Sequence, residues 1–423
     1  MTSARTPGST AFLFIFLTVL IEMIGIGIIL PALPDLIMDV ADVKIGDAAR
    51  IGGLLTFVFA LGQFLCAPVV GALSDRFGRR PVLIASLTGY GIDYLVMGFA
   101  PLLWILFIGR ALSGVFAATV STAYAYVADI SDADERAGRF GKLGAAFGAG
   151  FVIGPAIGGF LGAEFGPRAP FFAAGGLALA NALFGFFVLP ETLKPENRRN
   201  FDLKRANPVG GLLSIARNPV ILSVLATFFL VQLAWMVLPS TWPYFTTARF
   251  NWGPDEIGWS LAYVGVTSII VQGGLAGPIV KRCGARTAAL MGMASAGSAL
   301  VVYTFAPDWR WVYFGLTVGA LGGIVMPSLQ SMMSNRTSAS EQGELQGAVS
   351  SVQAITLIIS PLMFTQVFAL FAPPEPIFLF LGAPYALATF IFVIGAAAFA
   401  IFTRSDGASP PASANLSPQH GAE

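Results

Sequence analysis

Three ionisable side chains lie deep inside long apolar stretches: Glu22, Asp93 and Arg110. A charge inside a membrane costs at least about 2.5–3.5 kcal/mol on insertion scales, so a chain that keeps three of them has a use for them. Withdrawal from water disfavours the charged form of a carboxyl group. An acid so placed can load and release a proton. Glu22, Asp93 and Arg110 are therefore the candidate proton-coupling residues. The structural alternative is a pair in which Arg110 neutralises an acid and holds two helices together. The chain's one histidine, His420, is close to its C-terminal end. There is no cluster of metal-ligand residues, no phosphate-binding Gly-x-x-x-x-Gly-Lys-Ser/Thr loop and no nucleophile–base pair, so the expectation is a protein without cofactor that is neither an enzyme nor driven by ATP.

A second group of polar residues suits ligand binding. Gln232, Trp235, Tyr263, Gln272 and Gln353 combine aromatic surface with a few amides, as an amphipathic, partly planar ligand requires. Trp242, Trp252 and Trp311 fall near the ends of apolar stretches and read as interface anchors.

These residues sit in a chain of 423 residues that is 56% hydrophobic and 11% charged. Soluble domains carry about 25% charged residues, and so few charges could not cover a globule in water. The apolar content excludes disorder. Cys66 and Cys283 alone cannot make a disulfide scaffold, and a net charge of +1 argues against nucleic acid. What is left is an all-α membrane protein in a lipid bilayer. A crossing helix needs roughly 20 apolar residues. Twelve stretches qualify: 12–32, 51–72, 82–100, 102–127, 140–163, 169–190, 219–241, 255–280, 285–305, 309–332, 345–371 and 376–402. The first is longer than a signal-peptide core and shows no small-residue cleavage site.

Lys and Arg set the orientation. With both termini on one side, the other side holds only Lys44, Arg50, Arg168, Arg249 and Arg310, while 18 of the 24 basic residues gather on the side of the termini. That side is expected to be the cytoplasm, in a cell inner membrane. Residues 1–190 and 219–404 read as two six-helix halves, 191–218 as a cytoplasmic linker, and 405–423 as a disordered tail.

The chain echoes itself at 206 residues. Gly71-Ala72-Leu73-Ser74-Asp75-Arg76-Phe77-Gly78-Arg79-Arg80-Pro81 is matched by Gly277-Pro278-Ile279-Val280-Lys281-Arg282-Cys283-Gly284-Ala285-Arg286-Thr287, with Gly, Arg, Gly and Arg in register. Parallel repeats of this kind occur in secondary transporters, whose binding site lies near the midplane between the halves.

The first copy resembles the signature loop G-x-x-x-D-R-x-G-R-R of the major facilitator superfamily. Gly25–Pro34, Gly109-Arg110-Ala111-Leu112-Ser113-Gly114 and Gly150-Phe151-Val152-Ile153-Gly154-Pro155-Ala156-Ile157-Gly158-Gly159 are similar to motifs of its twelve-helix drug/proton antiporter branch. Within that branch the likeness is to the bacterial tetracycline/proton antiporters, whose two N-terminal membrane carboxylates look like Glu22 and Asp93. The second half departs from their pattern. Ala294-Ser295-Ala296-Gly297-Ser298 supplies no acid, and Ser268 stands where that group has a histidine, with Gln272 keeping a polar position nearby.

The resemblance implies roles. Gly71, Asp75, Arg76, Gly78, Arg79, Arg80 and Asp129 would form a gate, with Asp75 docking against helix 11 in the outward-open state and Arg79 meeting Asp129. Gly150, Gly154, Pro155, Gly158 and Gly159 would form a hinge and seal between the halves. Gly144 and Gly148 extend the small-residue spacing that lets helices touch. The function implied is proton-coupled efflux of an amphiphilic, drug-like small molecule by a monomer. The alternatives are a carrier for a specific metabolite, in either direction, and a membrane sensor that transports nothing.

Overall fold

The computed structural model describes residues 7–117, 119–198, 219–335, 337, 342–373 and 376–403. Most of the expected linker and the whole expected tail lie outside the described residues. Among the described residues the chain is helical and contains no strand.

The first half of the chain forms α1 (Pro7–Ile29), α2 (Leu33–Ala41), α3 (Ile45–Phe77), α4 (Arg79–Phe99), α5 (Leu103–Phe116), α6 (Thr119–Asp129), α7 (Ala133–Phe165) and α8 (Ala169–Val188). The second half forms α9 (Pro219–Trp235), α10 (Val237–Phe250), α11 (Pro254–Ile270), α12 (Ala276–Phe305), α13 (Trp309–Gly319), α14 (Val325–Ser334), α15 (Gln342–Phe371) and α16 (Ala383–Phe402). A π-helical turn, Val271–Leu275, joins α11 to α12, and a 3-10 turn, Ala320–Ile324, joins α13 to α14.

Ten helical segments are long and apolar enough to cross a membrane. One of them, Pro254–Phe305, has 52 residues. At 1.5 Å per residue it would be about 78 Å long, against a hydrocarbon core of about 30 Å. It turns at Gly284, where φ is 78°, and so makes two crossings. The shorter apolar helix α5 is continued by α6. The architecture is thus consistent with twelve crossings. Several helices overrun the apolar stretches: α3 and α7 each have 33 residues, because polar turns at both ends stay helical outside the hydrocarbon. The acidic stretch after the first crossing is no plain loop, since Leu33–Ala41 folds as the separate short helix α2.

The repeat recurs in the backbone. Gly78 has φ 110° and ψ 159°, and Gly284, 206 residues on, has φ 78° and ψ 156°. Only glycine takes such angles without strain. Ala100 and Ala306, at the same offset, end α4 and α12 with φ, ψ of −57°, 117° and −49°, 114°. Each of these two carbonyls accepts from an arginine: Arg168 reaches Ala100 at 2.8 Å and Arg249 reaches Ala306 at 3.2 Å.

Packing sets which ends are closed. Within the first half α1 lies along α7 and α4 along α8; within the second half α9 lies along α16. The halves meet where α7 packs on α11 and α3 on α15. These meetings are tight near the face that carries Asp39, Arg168 and Arg249. A Cβ on Gly258 would lie 3.0 Å from the Gly159 Cα, and one on Gly162 would lie 3.0 Å from Pro254. The Gly46 N–H donates to the Pro373 carbonyl at 3.1 Å. Gly52 and Gly53 leave no room for a Cβ beside Tyr244 and Thr365. At the opposite, basic face, a Cβ on Gly71, Gly144, Gly148, Gly273, Gly277 or Gly347 would meet no atom within 4 Å. The molecule is closed at one face and open at the basic one.

Candidate functional site

The three intramembrane ionisable residues come together in the first half. Glu22 on α1 is 8% exposed and Asp93 on α4 is 2% exposed. Ser113 on α5 donates its hydroxyl to Asp93 Oδ2. Asp93 Oδ1 and both carboxyl oxygens of Glu22 have no hydrogen-bond partner among the described residues. Arg110 stands over the Phe59 ring, 6.0 Å from its centroid, and makes no ion pair with either acid among the described residues. The structural alternative for Arg110 is therefore not realised in this arrangement. Two acids are buried with spare acceptor capacity, which is the arrangement a proton-loading site needs.

Sequence reasoning missed the aromatic shell around this cluster. Tyr90 and Tyr94, one helical turn apart on α4, stack with ring centroids 5.5 Å apart. Both feel the charges of Glu22, Asp93 and Arg110. The signal was present in their spacing, since residues i and i+4 share a helix face with the intervening Asp93. Tyr244 arrives from α10, packs on Gly52 of α3 and lies within reach of the Arg110 charge. Its hydroxyl, like that of Tyr90, has no hydrogen-bond partner among the described residues.

The signature loop forms a compact ionic network at the basic face. Arg79 bridges two acids: Nη1 lies 2.5 Å from Asp75 Oδ1 and Nε lies 3.2 Å from Asp129 Oδ2. Asp75 thus pairs with Arg79 and not with α15. Glu191, which the sequence did not single out, anchors this network. Its carboxylate accepts from the backbone N–H of Arg79 at 2.9 Å and of Arg80 at 3.3 Å. These are the first two residues of α4, where the helix dipole favours an anion. Thr192 donates to Asp129 at 3.3 Å. Arg80 turns away from the acids and donates to the Phe186 carbonyl, at the end of α8, at 2.6 Å. Arg76 is exposed and lies against Phe77.

The glycine motif of α7 has two faces. Gly150, Gly154 and Gly158 abut the α1 backbone around Leu20, Ile24, Gly27 and Ile28, whereas Gly159 abuts α11. Pro155 meets both, its ring next to Gly27 and its carbonyl next to Gly258. Gly144 and Gly148 do not join this packing, because they face the open side of the molecule.

A central cavity of about 510 Å³ lies between the halves, bounded among others by Ile26, Thr56, Phe151, Trp235, Trp242, Ser268 and Tyr303. Of the five residues expected to bind ligand, Trp235 lines it and is 37% exposed. Gln353 lines a second cavity, between α3 and α15. Gln232, Tyr263 and Gln272 line neither. Tyr263 bonds to Thr317 at 2.7 Å, and Gln272 sits in the π-helical turn beside Gly323. Trp242 is not an interface anchor. It is fully buried, donates its indole N–H to Ser260 at 2.9 Å and walls the cavity. After the break at Met236 the helix α10 continues to Phe250, past the end of the expected span, so Trp242 lies within a helix and not at its end. Trp311 is exposed, as an anchor would be.

Comparison with known proteins agrees with this geometry. The family model described as Major Facilitator Superfamily matches residues 15–361 and 224–421. The chain is 41% identical to the class C tetracycline resistance protein of Escherichia coli over 362 residues, covering 85% of this chain and 90% of that one. It is 38% identical to the class G tetracycline resistance protein of Vibrio anguillarum over 356 residues, covering 82% and 88%. The crystal structure of the human organic anion transporter MFSD10 superposes with a TM-score of 0.69 over 93% of this chain and 100% of that one; at 24% identity this is a likeness of fold. With the fold, the repeat and the relatives in agreement, the chain is a multi-span membrane transporter for small molecules that belongs to the Major Facilitator Superfamily.

Proposed function

We propose that the chain exports an amphiphilic, drug-like compound in exchange for protons. The observation that carries this reading is the pair of buried acids without a counter-ion among the described residues, Glu22 and Asp93, Glu22 lying one helical turn before Ile26, which lines the central cavity. The resistance proteins it resembles supply the substrate class, and tetracycline is the first compound to test.

The Lys and Arg bias supports an orientation in a bacterial inner membrane with the basic face and both termini toward the cytoplasm. Residues 1–190 and 219–404 act as two bundles, and one monomer suffices. Substrate enters from the cytoplasm while α7–α11 and α3–α15 hold the outer face shut. Opening that face breaks these glycine-lined contacts. The basic face then closes, and Asp75 exchanges part of its hold on Arg79 for the end of α15. Substrate and proton compete: the site loses its proton to take a cation and regains one to release it.

The test is accumulation in proteoliposomes under an imposed pH gradient, scored over a compound panel that includes tetracycline. Gradient-driven movement of an amphiphile supports the reading. Movement that is indifferent to the gradient, or restricted to polar metabolites, overturns it.

A further inference from the structure

The cavity that Gln353 lines was not expected from the sequence. It has a volume of about 510 Å³ and lies between the basic-face half of α3 and that of α15. It shares Leu357 with the central cavity, so the two are adjacent. Gln63 and Phe64 come from α3, and Ser350 and Gln353 from α15. No charged side chain lines it.

The two cavities differ in what they offer a ligand. Three hydroxyls of the central cavity are committed to their own helices: Thr56 donates to the Gly52 carbonyl at 2.8 Å, Ser240 to Met236 at 2.6 Å and Thr267 to Tyr263 at 2.9 Å. What remains there is mostly apolar and aromatic surface. In the second cavity the side-chain amides of Gln63 and Gln353 make no hydrogen bond with any described residue. Each amide holds two donors and one acceptor in reserve. Two such groups, one from each half of the chain, face one space beside an aromatic ring.

We propose that Gln63 and Gln353 form a vestibular loading subsite. It takes the hydrogen-bonding edge of a neutral or amphiphilic substrate, one that sets a donor and an acceptor side by side, as a primary carboxamide or a hydroxy-ketone does. The apolar body of the same molecule then passes Leu357 into the cavity walled by Trp235 and Trp242. The subsite belongs to one state only. Gly71 and Gly347 have open space beside them, and closing the basic face brings α3 and α15 together across it. The amides therefore set affinity for substrate arriving from the basic face and have no part in its release at the other.

This proposal rests on the reading of the chain as an exporter loaded from the basic face. The test uses the full-length protein in proteoliposomes with a pH gradient and two probes. One is tetracycline, which carries a carboxamide; the other is tetraphenylphosphonium, which carries no hydrogen-bonding group. Gln63→Leu and Gln353→Leu are expected to raise KM for tetracycline offered at the basic face about fivefold to tenfold, the loss of one or two neutral hydrogen bonds. Maximal rate and KM for tetraphenylphosphonium stay at the parental values. Should a leucine variant fail to fold, Gln63→Met or Gln353→Met replaces it. An unchanged KM for tetracycline, or an equal rise for both probes, overturns the subsite alone. Gradient-driven movement of tetraphenylphosphonium but not of tetracycline by the parent overturns the subsite alone, and movement of neither probe overturns the exporter reading and the subsite with it.

Discussion

Arg80 and Arg286, 206 residues apart, make the same tie to different helices. Arg80 Nη2 donates to the Phe186 carbonyl at 2.6 Å and Arg286 Nη2 to the Ala400 carbonyl at 3.3 Å. Both carbonyls lie in the last turn of a helix, α8 and α16, at the negative end of the dipole. Arg286 also donates to Thr403 at 3.0 Å. The second copy keeps this tie and lacks the ionic network: Lys281, Ala285 and Asn335 stand where the first copy has Asp75, Arg79 and Asp129. The loop thus holds a tie present twice and an ionic network present once.

Arg80→Gln and Arg286→Gln are accordingly expected to act alike. Each removes a charge-assisted bond at the protein surface, worth about 1 kcal/mol after screening. The melting temperature in detergent should fall by a few degrees for both, with the balance between open states unchanged. A shift in cavity accessibility for Arg80→Gln alone would show that Arg80 belongs to the gate.

Asp75→Asn should do the opposite. It weakens the pairing with Arg79 and removes the charge proposed to hold α15 in the outward-open state, while the fold keeps Glu191 on the N-terminus of α4. Transport slows and the melting temperature holds. Labelling of single cysteines in the cavity from each face measures the change, and parental transport with parental labelling from both faces would refute the gating role.

The glycine contacts at the closed face offer a way to bias the cycle. A valine at Gly258 would press on the Gly159 backbone, since a Cβ there already lies 3.0 Å from its Cα, and opening the acidic face is proposed to part the two. Overpacking costs about 1–3 kcal/mol, and a difference of 1.4 kcal/mol is tenfold in an equilibrium. Gly258→Val should therefore raise accessibility from the acidic face by about tenfold or more, read by cysteine labelling. Gly277→Val, where nothing lies within 4 Å, is the control and should leave accessibility as it was.

Glu22→Gln and Asp93→Asn each mimic the protonated acid. At least one should abolish gradient-driven accumulation while substrate binding stays measurable, and should flatten the pH dependence of that binding. Retention of full accumulation by both variants would place coupling elsewhere. Ser113→Ala removes the only hydrogen bond that Asp93 accepts among the described residues. It should move the pH profile of transport without abolishing it.

Two tryptophans separate affinity from stability. Trp235 is partly exposed in the central cavity, so Trp235→Ala should weaken substrate binding with little loss of fold. Trp242 is fully buried and bonded to Ser260. Trp242→Ala should cost about 3–5 kcal/mol of stability, read as a fall in melting temperature larger than for any other variant here.

The sequence alone determined the class of molecule. Apolar stretches of crossing length and intramembrane charges are local properties, because a bilayer imposes its cost on each residue separately. The 206-residue echo was equally legible, since Gly78 and Gly284 are glycines for a backbone reason that acts within one turn. The tertiary structure decided what meets what. That Arg110 leaves both acids unpaired was not legible beforehand, because ion pairing depends on the relative rotation of three helices. Glu191 was invisible for the same reason: its partners are backbone N–H groups more than a hundred residues away, which carry no sequence signature. Gly144 and Gly158 share a motif and a spacing, yet one faces open space and the other the α1 backbone. That difference belongs to the state of the molecule, in which helices packed at one face are parted at the other.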